Sequence, residues 1–281
     1  MTSRPRTIQI FLPSGDPSGI RVAEITTSII RLVEVPRALL SSFLAMPEAS
    51  QVGTYYLIGG DDSRTLYIGQ SGEIGKRLQQ HGKDETKEWE RALVLVSMTN
   101  NLTQTHVLYL ESLSIERAKI CQRYSLTNSN NGQRPFTPVP MQADCEEIHE
   151  IGSILLATLG YPIFEPLLSP DESNPQDKFF CKRSGVLAEG FYTHEGFVVL
   201  AGSRGRLTQS GKPSEAADKI RKQLLDTGVL AEDGAHVVVT KDTLFKTPSA
   251  ASCALLMAAS NGWNEWKNQA GQSLSDVYRS D

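Results

Sequence analysis

The sequence predicts an α+β protein built from two domains. Its 281 residues exceed the usual length of a single domain. Short runs of aromatic and β-branched residues, which favour strands, alternate with segments of helical periodicity in both halves of the chain. A polar segment with several turn residues, Ser169–Lys178, lies between the halves and marks the expected domain boundary.

The composition is that of an ordinary globular protein, with 40% hydrophobic and 21% charged residues. No apolar run reaches the roughly 18 residues that span a bilayer, and the N-terminus lacks the apolar segment of a secretion signal. We therefore expect a cytoplasmic protein with no membrane partner. The four cysteines lie far apart and indicate neither a zinc site nor a disulfide framework. The net charge of −4 comes mainly from residues 136–178, so a local basic face elsewhere is permitted.

The first 50 residues are expected to add a hairpin and a short helix to the module that follows them. Thr7–Leu12 and Ile20–Ile30 are the strand candidates, and a helix is predicted to begin at Pro36, because proline is well tolerated at the first helical position. Arg21 and Arg37 are interpreted either as nucleic-acid contacts or as scaffold residues.

Two tyrosines lie in a predicted β-hairpin. Gly53–Ile58 carries Tyr55 and Leu66–Gly69 carries Tyr67, and a Gly/Asp cluster separates the two strand-like runs. Arg91–Met98 is a continuous apolar run and predicts a central strand of the same sheet. Taken singly, each tyrosine is better explained as an ordinary strand aromatic.

Three ionisable side chains follow on two predicted helices. Arg77 and His81 lie four residues apart directly after the hairpin, so they share one helix face. A second helix is predicted to begin near Thr103 or Thr105, and it places Glu111 on its apolar stripe. A carboxylate in that position needs a partner, which is either an arginine in an internal salt bridge or a metal ion.

The hairpin resembles the GIY-YIG nuclease superfamily. Gly53-Thr54-Tyr55 matches the first signature, with threonine in place of the usual aliphatic residue, and Tyr67-Ile68-Gly69 matches the second without change. The resemblance covers residues 51–135. It implies a small three-stranded antiparallel sheet flanked by helices, and the hydrolysis of DNA phosphodiester bonds.

The resemblance also implies roles for individual side chains. Tyr55 would accept the proton of the attacking water or orient that water. Tyr67 and His81 would position the water or relay its proton. Arg77 would hold a phosphate oxygen, for which a guanidinium is well suited. Because a tyrosine with an unperturbed pKa near 10 is a poor base, we expect Arg77 or a metal to lower the pKa of Tyr55.

Glu111 looks like the family's metal-binding glutamate, which implies Mg²⁺ (or Mn²⁺) as cofactor. One carboxylate and several waters suit that ion. The family's late asparagine resembles Asn128 best, with Asn130 and Asn131 as alternatives. The alternative function is a non-catalytic DNA-binding module that keeps the nuclease fold within a defence or repair complex.

Residues 136–178 are interpreted as a connector. The proline-rich stretch Pro135–Pro140 disfavours regular structure, and a helix over about 142–159 is predicted to follow it. A third and weaker possibility is that this helix binds a protein partner.

Residues 179–281 are expected to form a second, smaller α+β domain. Strands are predicted within Gly196–Ser203 and Val237–Thr240, and helices within Ser214–Leu225 and Ser249–Ala259. The segment resembles a domain of unknown function that is often attached to bacterial nuclease or restriction-modification proteins. That resemblance implies a targeting role, with a possible protein partner in a restriction or defence system.

Basic and aromatic side chains of this second domain are candidates for nucleic-acid contact. Trp263 and Trp266 would stack on bases or, as is more typical of such a pair beside a helix, belong to the core. The basic candidates would meet phosphates if they converge in space, and otherwise form a solvated face. They are Arg204, Arg206, Lys219, Arg221 and Lys222.

Overall fold

The computed structural model divides the chain into two compact units, Met1–Pro166 and Leu167–Asp281. The structure describes residues 4–59, 65–84, 88–130, 132, 134–168, 177–208 and 215–279. The predicted Gly/Asp turn, Asn131, most of the polar linker and the predicted start of the helix at Ser214 lie outside these residues. No helix in the described ranges has the length and apolar character needed to cross a membrane.

A mixed sheet of seven strands organises the part of the first unit that the structure describes. The strand order is β1-β2-β3-β6-β4-β5-β7, and every neighbouring pair is antiparallel except β5 and β7. The strands are β1 Ile8–Phe11, β2 Arg21–Ile25, β3 Ile30–Pro36, β4 Gly53–Ile58, β5 Thr65–Ser71, β6 Arg91–Ser97 and β7 Ser125–Leu126.

The sheet thus has seven strands, whereas the resemblance implies a small sheet of three. The strands β6, β4 and β5 are adjacent, and β3 pairs with the other edge of β6, from Ile30 opposite Ser97 to Pro36 opposite Arg91. This confirms β6 as a central strand. Its apolar residues are buried on both faces of the sheet, as is typical of a strand that has a neighbour at each edge.

The single strand predicted over Ile20–Ile30 is wrong, because a turn divides it into β2 and β3. The backbone N–H of Ser28 donates to the carbonyl of Ile25 at 2.9 Å, and the hydroxyl of Ser28 accepts from the N–H of Ile30 at 3.1 Å. Hydroxyl side chains offer the backbone such local bonds and so favour turns over strands.

Helices cover both faces of this sheet. The helix α1 (Leu40–Leu44) and the helix α2 (Ile74–Lys83) lie on the face that buries Tyr55, Val94 and Leu78. The helices α3 (Gln104–Cys121) and α4 (Val139–Thr158) lie on the other face, which buries Tyr56 and Leu95. The alternation of side chains along each strand separates these two cores.

The helix α4 belongs to the core of the first unit rather than to a connector. Leu155, Leu156 and Leu159 are buried against the sheet, and Ile163 continues the same cluster. The apolar side chains of α4 are therefore used within the unit. That this helix also binds a protein partner stays a prediction.

The second unit is also α+β. In the residues described, its sheet has the order β12-β13-β11-β9-β10-β14, and β8 pairs with β9. Its strands are β8 Lys178–Arg183, β9 Val186–Thr193, β10 Gly196–Val199, β11 Arg204–Arg206, β12 Leu230–Asp233, β13 His236–Val239 and β14 Thr243–Phe245. Its helices are α5 Glu215–Asp226, α6 Pro248–Leu256, α7 Gly262–Glu265 and α8 Leu274–Tyr278.

Candidate functional site

Tyr55 lies at the centre of a cluster of polar aromatic side chains in the first unit. It is fully buried on β4, and its cross-strand partner on β5 is Gly69. A methyl group at Gly69 would overlap the Cζ and Oη atoms of Tyr55, so the phenol ring lies across the bare backbone of this glycine. Gly69, the last residue of the second signature, thus leaves the space that the ring of Tyr55 in the first signature occupies.

The helix α2 brings Arg77 and His81 to the same phenol. The guanidinium Nε of Arg77 donates to the Tyr55 oxygen at 3.2 Å, and that oxygen lies 2.8 Å from Nε2 of His81. The ring of Tyr67 lies 5.5 Å from that of His81 and 6.3 Å from that of Tyr55, measured between centroids. The i, i+4 spacing on the helix therefore places both side chains over the tyrosine pair, as the sequence predicts.

These hydrogen bonds allow a proton to pass from Tyr55 to His81. Arg77 can only donate, so the Tyr55 oxygen accepts from it. The single proton of the phenol is then available to Nε2 of His81, which accepts it in the tautomer that carries its proton on Nδ1. Tyr55 thus connects a cation on one side with a proton acceptor on the other.

Burial has a larger effect on the pKa of Tyr55 than Arg77 has. Loss of water around the phenol raises its pKa, and the hydrogen bond from Arg77 opposes this only in part. The pKa of Tyr55 is therefore raised overall, and the expectation that Arg77 would bring it below its usual value is wrong. At neutral pH the group is a neutral phenol, so it can accept a proton only by passing its own proton on.

Glu111 lies near this cluster on α3 and is half-buried. Burial raises the pKa of its carboxyl, and the charge of Arg77 partly opposes the shift. Among the residues that the structure describes, no hydrogen-bond or ion-pair partner meets this carboxylate, so the internal salt bridge weighed from the sequence does not form there.

The donor chemistry of Glu111 fits a hard divalent cation. No group of three or more His, Cys, Asp or Glu side chains in the described part of the chain could hold a metal ion. A single carboxylate leaves most coordination positions to water, and Mg²⁺ is commonly held through one or two carboxylates with several waters retained. Glu111 is thus the residue here that could hold such an ion.

Asn128 supports the site from outside. Its side-chain oxygen accepts from the N–H of Ile68 at 2.9 Å, and its amide nitrogen donates to the Ile68 carbonyl at 2.7 Å. Both amide ends are occupied by the backbone between Tyr67 and Gly69, so Asn128 fixes β5 rather than joining the cluster. Of the alternatives, Asn130 accepts from the N–H of Gly132 at 3.3 Å, and Asn131 lies outside the described residues.

Trp89 is a supporting residue that the sequence interpretation missed, and Arg37 packs against it. Trp89 lies in a charged stretch of the sequence, yet it is buried, and its indole N–H donates to the carbonyl of His81 at 3.3 Å. Arg37 stacks on Trp89 at 5.1 Å and donates to the carbonyls of Trp89 and Gly82. A tryptophan in a charged stretch was the signal that could have revealed this support.

Of the two interpretations of Arg21 and Arg37, nucleic-acid contact or scaffold, the structure favours scaffold. Arg37 holds the end of α2 as described above. Arg21 pairs with Glu34, which is buried and also accepts from the hydroxyl of Tyr161 at 2.9 Å. Both guanidinium groups serve the fold of the first unit.

The basic candidates of the second unit do not form one exposed face. Arg221 is 4% exposed and donates to the carbonyl of Arg206 at 2.7 Å, and burial lowers its pKa to about 10. Arg221 is therefore a core residue, which corrects its assignment as a phosphate contact. Arg204, Lys219 and Lys222 are exposed, whereas Arg206 is half-buried.

The tryptophans of the second unit serve its core. Trp266 is fully buried against Phe197, and its indole N–H donates to the carbonyl of Pro248 at 3.0 Å. Trp263 is half-buried between Tyr192 and the guanidinium of Arg279, which lies 3.6 Å from its ring centroid. Both rings are thus engaged by neighbouring side chains.

Comparison with known proteins finds a family match within the second unit. Residues 179–278 match the family described as Domain of unknown function (DUF4357), which agrees with the domain of unknown function suggested by the sequence. No curated protein and no solved structure matches the chain. The first unit shows no match to the GIY-YIG family, so its resemblance to those nucleases depends on its motifs and its geometry.

Proposed function

We propose that the first unit is a metal-dependent endonuclease that hydrolyses phosphodiester bonds of DNA. The observation that carries this proposal is the hydrogen-bonded chain Arg77–Tyr55–His81, with Glu111 close enough for its charge to be felt by both Arg77 and Tyr55. Phosphodiester hydrolysis needs charge neutralisation, a positioned water and a route for its proton. These side chains offer a group for each need.

Arg77 would bind the phosphate. Its Nε is used on Tyr55, and one terminal nitrogen donates to Gln80 at 3.1 Å. The guanidinium carries five N–H donors, so others remain for a non-bridging phosphate oxygen. The bond to Tyr55 holds the fork in one orientation before substrate arrives, which favours a defined geometry at the phosphorus.

Tyr55 and His81 would move the proton of the attacking water. The water oxygen forms the new bond to phosphorus while its proton passes to the Tyr55 oxygen, and the phenol proton passes to Nε2 of His81. The bond from phosphorus to the leaving oxygen breaks, and solvent protonates that oxygen. This relay avoids a phenolate at rest, in agreement with the raised pKa of Tyr55.

Glu111 would hold a Mg²⁺ or Mn²⁺ ion, which when bound supplies neutralisation of charge on the phosphate and on the leaving oxygen. The half-buried carboxylate has no protein partner among the described residues, which leaves it available for this role. The second unit would supply substrate targeting, and we infer that the whole chain acts in a cytoplasmic restriction or defence system.

The role of Glu111 is tested by Glu111→Ala with Glu116→Ala as the matched control. Both residues lie on α3, and Glu116 is exposed and pairs with Arg134 at 3.2 Å. We expect Glu111→Ala to abolish Mg²⁺-dependent nicking of supercoiled plasmid while its circular dichroism is unchanged, and Glu116→Ala to retain wild-type nicking. Cleavage by Glu111→Ala at the wild-type rate would show that Glu111 is not the metal ligand.

The second candidate function is a DNA-binding module without turnover. The raised pKa of Tyr55 and the lone carboxylate Glu111 favour it, because a site with a weak base and one metal ligand loses hydrolysis readily while keeping its phosphate contact. Salt-sensitive retention of DNA, without nicking in either Mg²⁺ or Mn²⁺, is the result expected of such a module.

A further inference from the structure

A cleft in the second unit gathers three cationic side chains. It has a volume of about 500 Å³ and lies beside the end of β8 and the segment that follows α7. Lys182 and Arg183 line it from β8, and Lys267 lines it from the other side. That volume is typical of a ligand-binding cleft, and none of the basic residues proposed from the sequence lines it.

The positive charge of the cleft is only partly compensated. Glu265 is the one carboxylate among the lining residues, and it forms an ion pair with Arg183. Lys182 and Lys267 are exposed, and neither has an ion-pair partner among the residues that the structure describes. Asp276 offsets part of the charge of Lys267. The two lysines line the same cleft, and the positive charge that remains there attracts an anion.

The backbone that carries these cations is fixed. Phe180 and Lys267 exchange both backbone hydrogen bonds, at 2.8 and 2.9 Å, which joins the segment after α7 to the outer edge of β8. Trp266, next to Lys267, is fully buried, and so is Cys181, next to Lys182. The positions of the two lysines are thus set by the core on both sides of the cleft.

Phe180 adds an aromatic surface at the cleft wall. The ammonium of Lys182 lies 4.8 Å from the centroid of the Phe180 ring, a cation–π contact that holds the lysine along the wall. The amide of Gln269 also lines the cleft. Spaced cations, a neutral donor and an aromatic surface together are the chemistry that recognises a phosphodiester strand.

We propose that this cleft binds the phosphodiester backbone of a nucleic acid, with Lys182 and Lys267 as its phosphate contacts. The site gives the second unit a binding function that its family description lacks. It shares with the proposed function the expectation of a nucleic-acid substrate. However, binding here needs neither Tyr55 nor Glu111, so the two proposals can fail separately.

The test compares two double variants of the full chain with equal changes in charge. Lys182→Gln/Lys267→Gln neutralises the cleft, and Lys219→Gln/Lys222→Gln neutralises two exposed lysines of α5 that the sequence suggested as contacts. Fluorescence anisotropy of a labelled 20-nucleotide single strand and of the matching duplex is measured in EDTA from about 0.05 to 0.3 M salt. EDTA prevents cleavage, so binding alone is observed.

Loss of two phosphate contacts lowers the slope of log affinity against log salt by about 1.4 on the single strand or about 1.8 on the duplex. We therefore expect the cleft variant to bind the preferred form roughly 25- to 60-fold more weakly at 0.1 M salt, with the α5 variant close to wild type. The strand form that shows this loss identifies the ligand.

Three results would overturn the proposal: a wild-type chain that binds neither oligonucleotide, a cleft variant with unchanged slope, or an α5 variant that loses as much affinity as the cleft variant. Plasmid nicking is measured in parallel. If the wild type binds through the cleft but does not nick plasmid, the proposed hydrolysis is refuted and the cleft proposal is supported. If the wild type nicks plasmid and the cleft variant binds with unchanged affinity, only the cleft proposal is refuted.

Discussion

Replacing Tyr55 by phenylalanine separates the chemistry of its hydroxyl from its contribution to stability. The variant keeps the ring that lies over Gly69 and removes the oxygen that joins Arg77 to His81. Tyr56→Phe is the matched control, because Tyr56 is the next residue of β4, is equally buried on the opposite face, and bonds Ser114 at 3.2 Å.

The two variants should be destabilised to a similar degree. Tyr55→Phe removes the hydrogen bonds that the buried phenol oxygen makes with Arg77 and His81, which costs about 1–3 kcal/mol. Tyr56→Phe removes one neutral hydrogen bond, worth about 1 kcal/mol, and the Ser114 hydroxyl can bond a carbonyl of its own helix instead. The difference in stability is thus on the order of 1 kcal/mol.

Their cleavage rates should differ far more. Removing a general acid–base group typically costs about 10²- to 10⁴-fold in rate, which corresponds to roughly 3–5 kcal/mol in the barrier. We expect Tyr55→Phe to nick supercoiled plasmid at least about 100-fold more slowly and Tyr56→Phe to stay close to wild type, at a temperature where both variants are folded by circular dichroism. If Tyr55→Phe cleaves at the rate of Tyr56→Phe, the proton relay is refuted.

Two further predictions concern stability. Gly69→Ala places a methyl group against the Tyr55 ring and should lower the free energy of unfolding by about 1–3 kcal/mol in urea titrations. The added methyl of the control Gly72→Ala would meet only the side chain of Gln104, at 3.6 Å, so this variant should change the free energy of unfolding little. Equal effects of the two variants would contradict the packing described here. Burial, assisted by the charge of Arg117, lowers the pKa of His149 to about 4. As pH falls from 6.5 towards 4, the histidine is therefore protonated in the unfolded chain before it is protonated in the folded chain. Between pH 7 and pH 5 the free energy of unfolding of the wild type should fall by about 2 kcal/mol, and that of His149→Leu should not show this loss. The same pH dependence in both proteins would refute the lowered pKa of His149.

The local elements of the first unit could be predicted because their signals are short-range. The tyrosine-bearing strands, the helix with Arg77 and His81, and the capped start of α3 at Thr103 each follow from periodicity or from a cap within a few residues. The contacts of Arg77 and His81 with Tyr55 then follow from their spacing on one helix. These parts of the candidate site needed no knowledge of distant pairing.

The remaining features depend on pairings between distant residues. Nothing local to Ile30–Pro36 indicates that it pairs with β6, and nothing local to Asn128 indicates that its amide binds the backbone of Ile68. The same is true of the cleft, whose cations at Lys182 and Lys267 are brought together by one backbone bridge. Burial also reverses expectations drawn from residue type, as in the raised pKa of Tyr55.

We propose that the cluster around Tyr55 hydrolyses phosphodiester bonds with the help of a divalent cation. The most direct test of this claim is to incubate the purified full-length protein with supercoiled plasmid in Mg²⁺ and, separately, in EDTA, and to resolve the products on a gel. We predict open-circular and then linear DNA with Mg²⁺ and unchanged supercoiled DNA with EDTA. Plasmid that stays supercoiled in both Mg²⁺ and Mn²⁺ while the protein retains it would contradict the claim and favour the binding module.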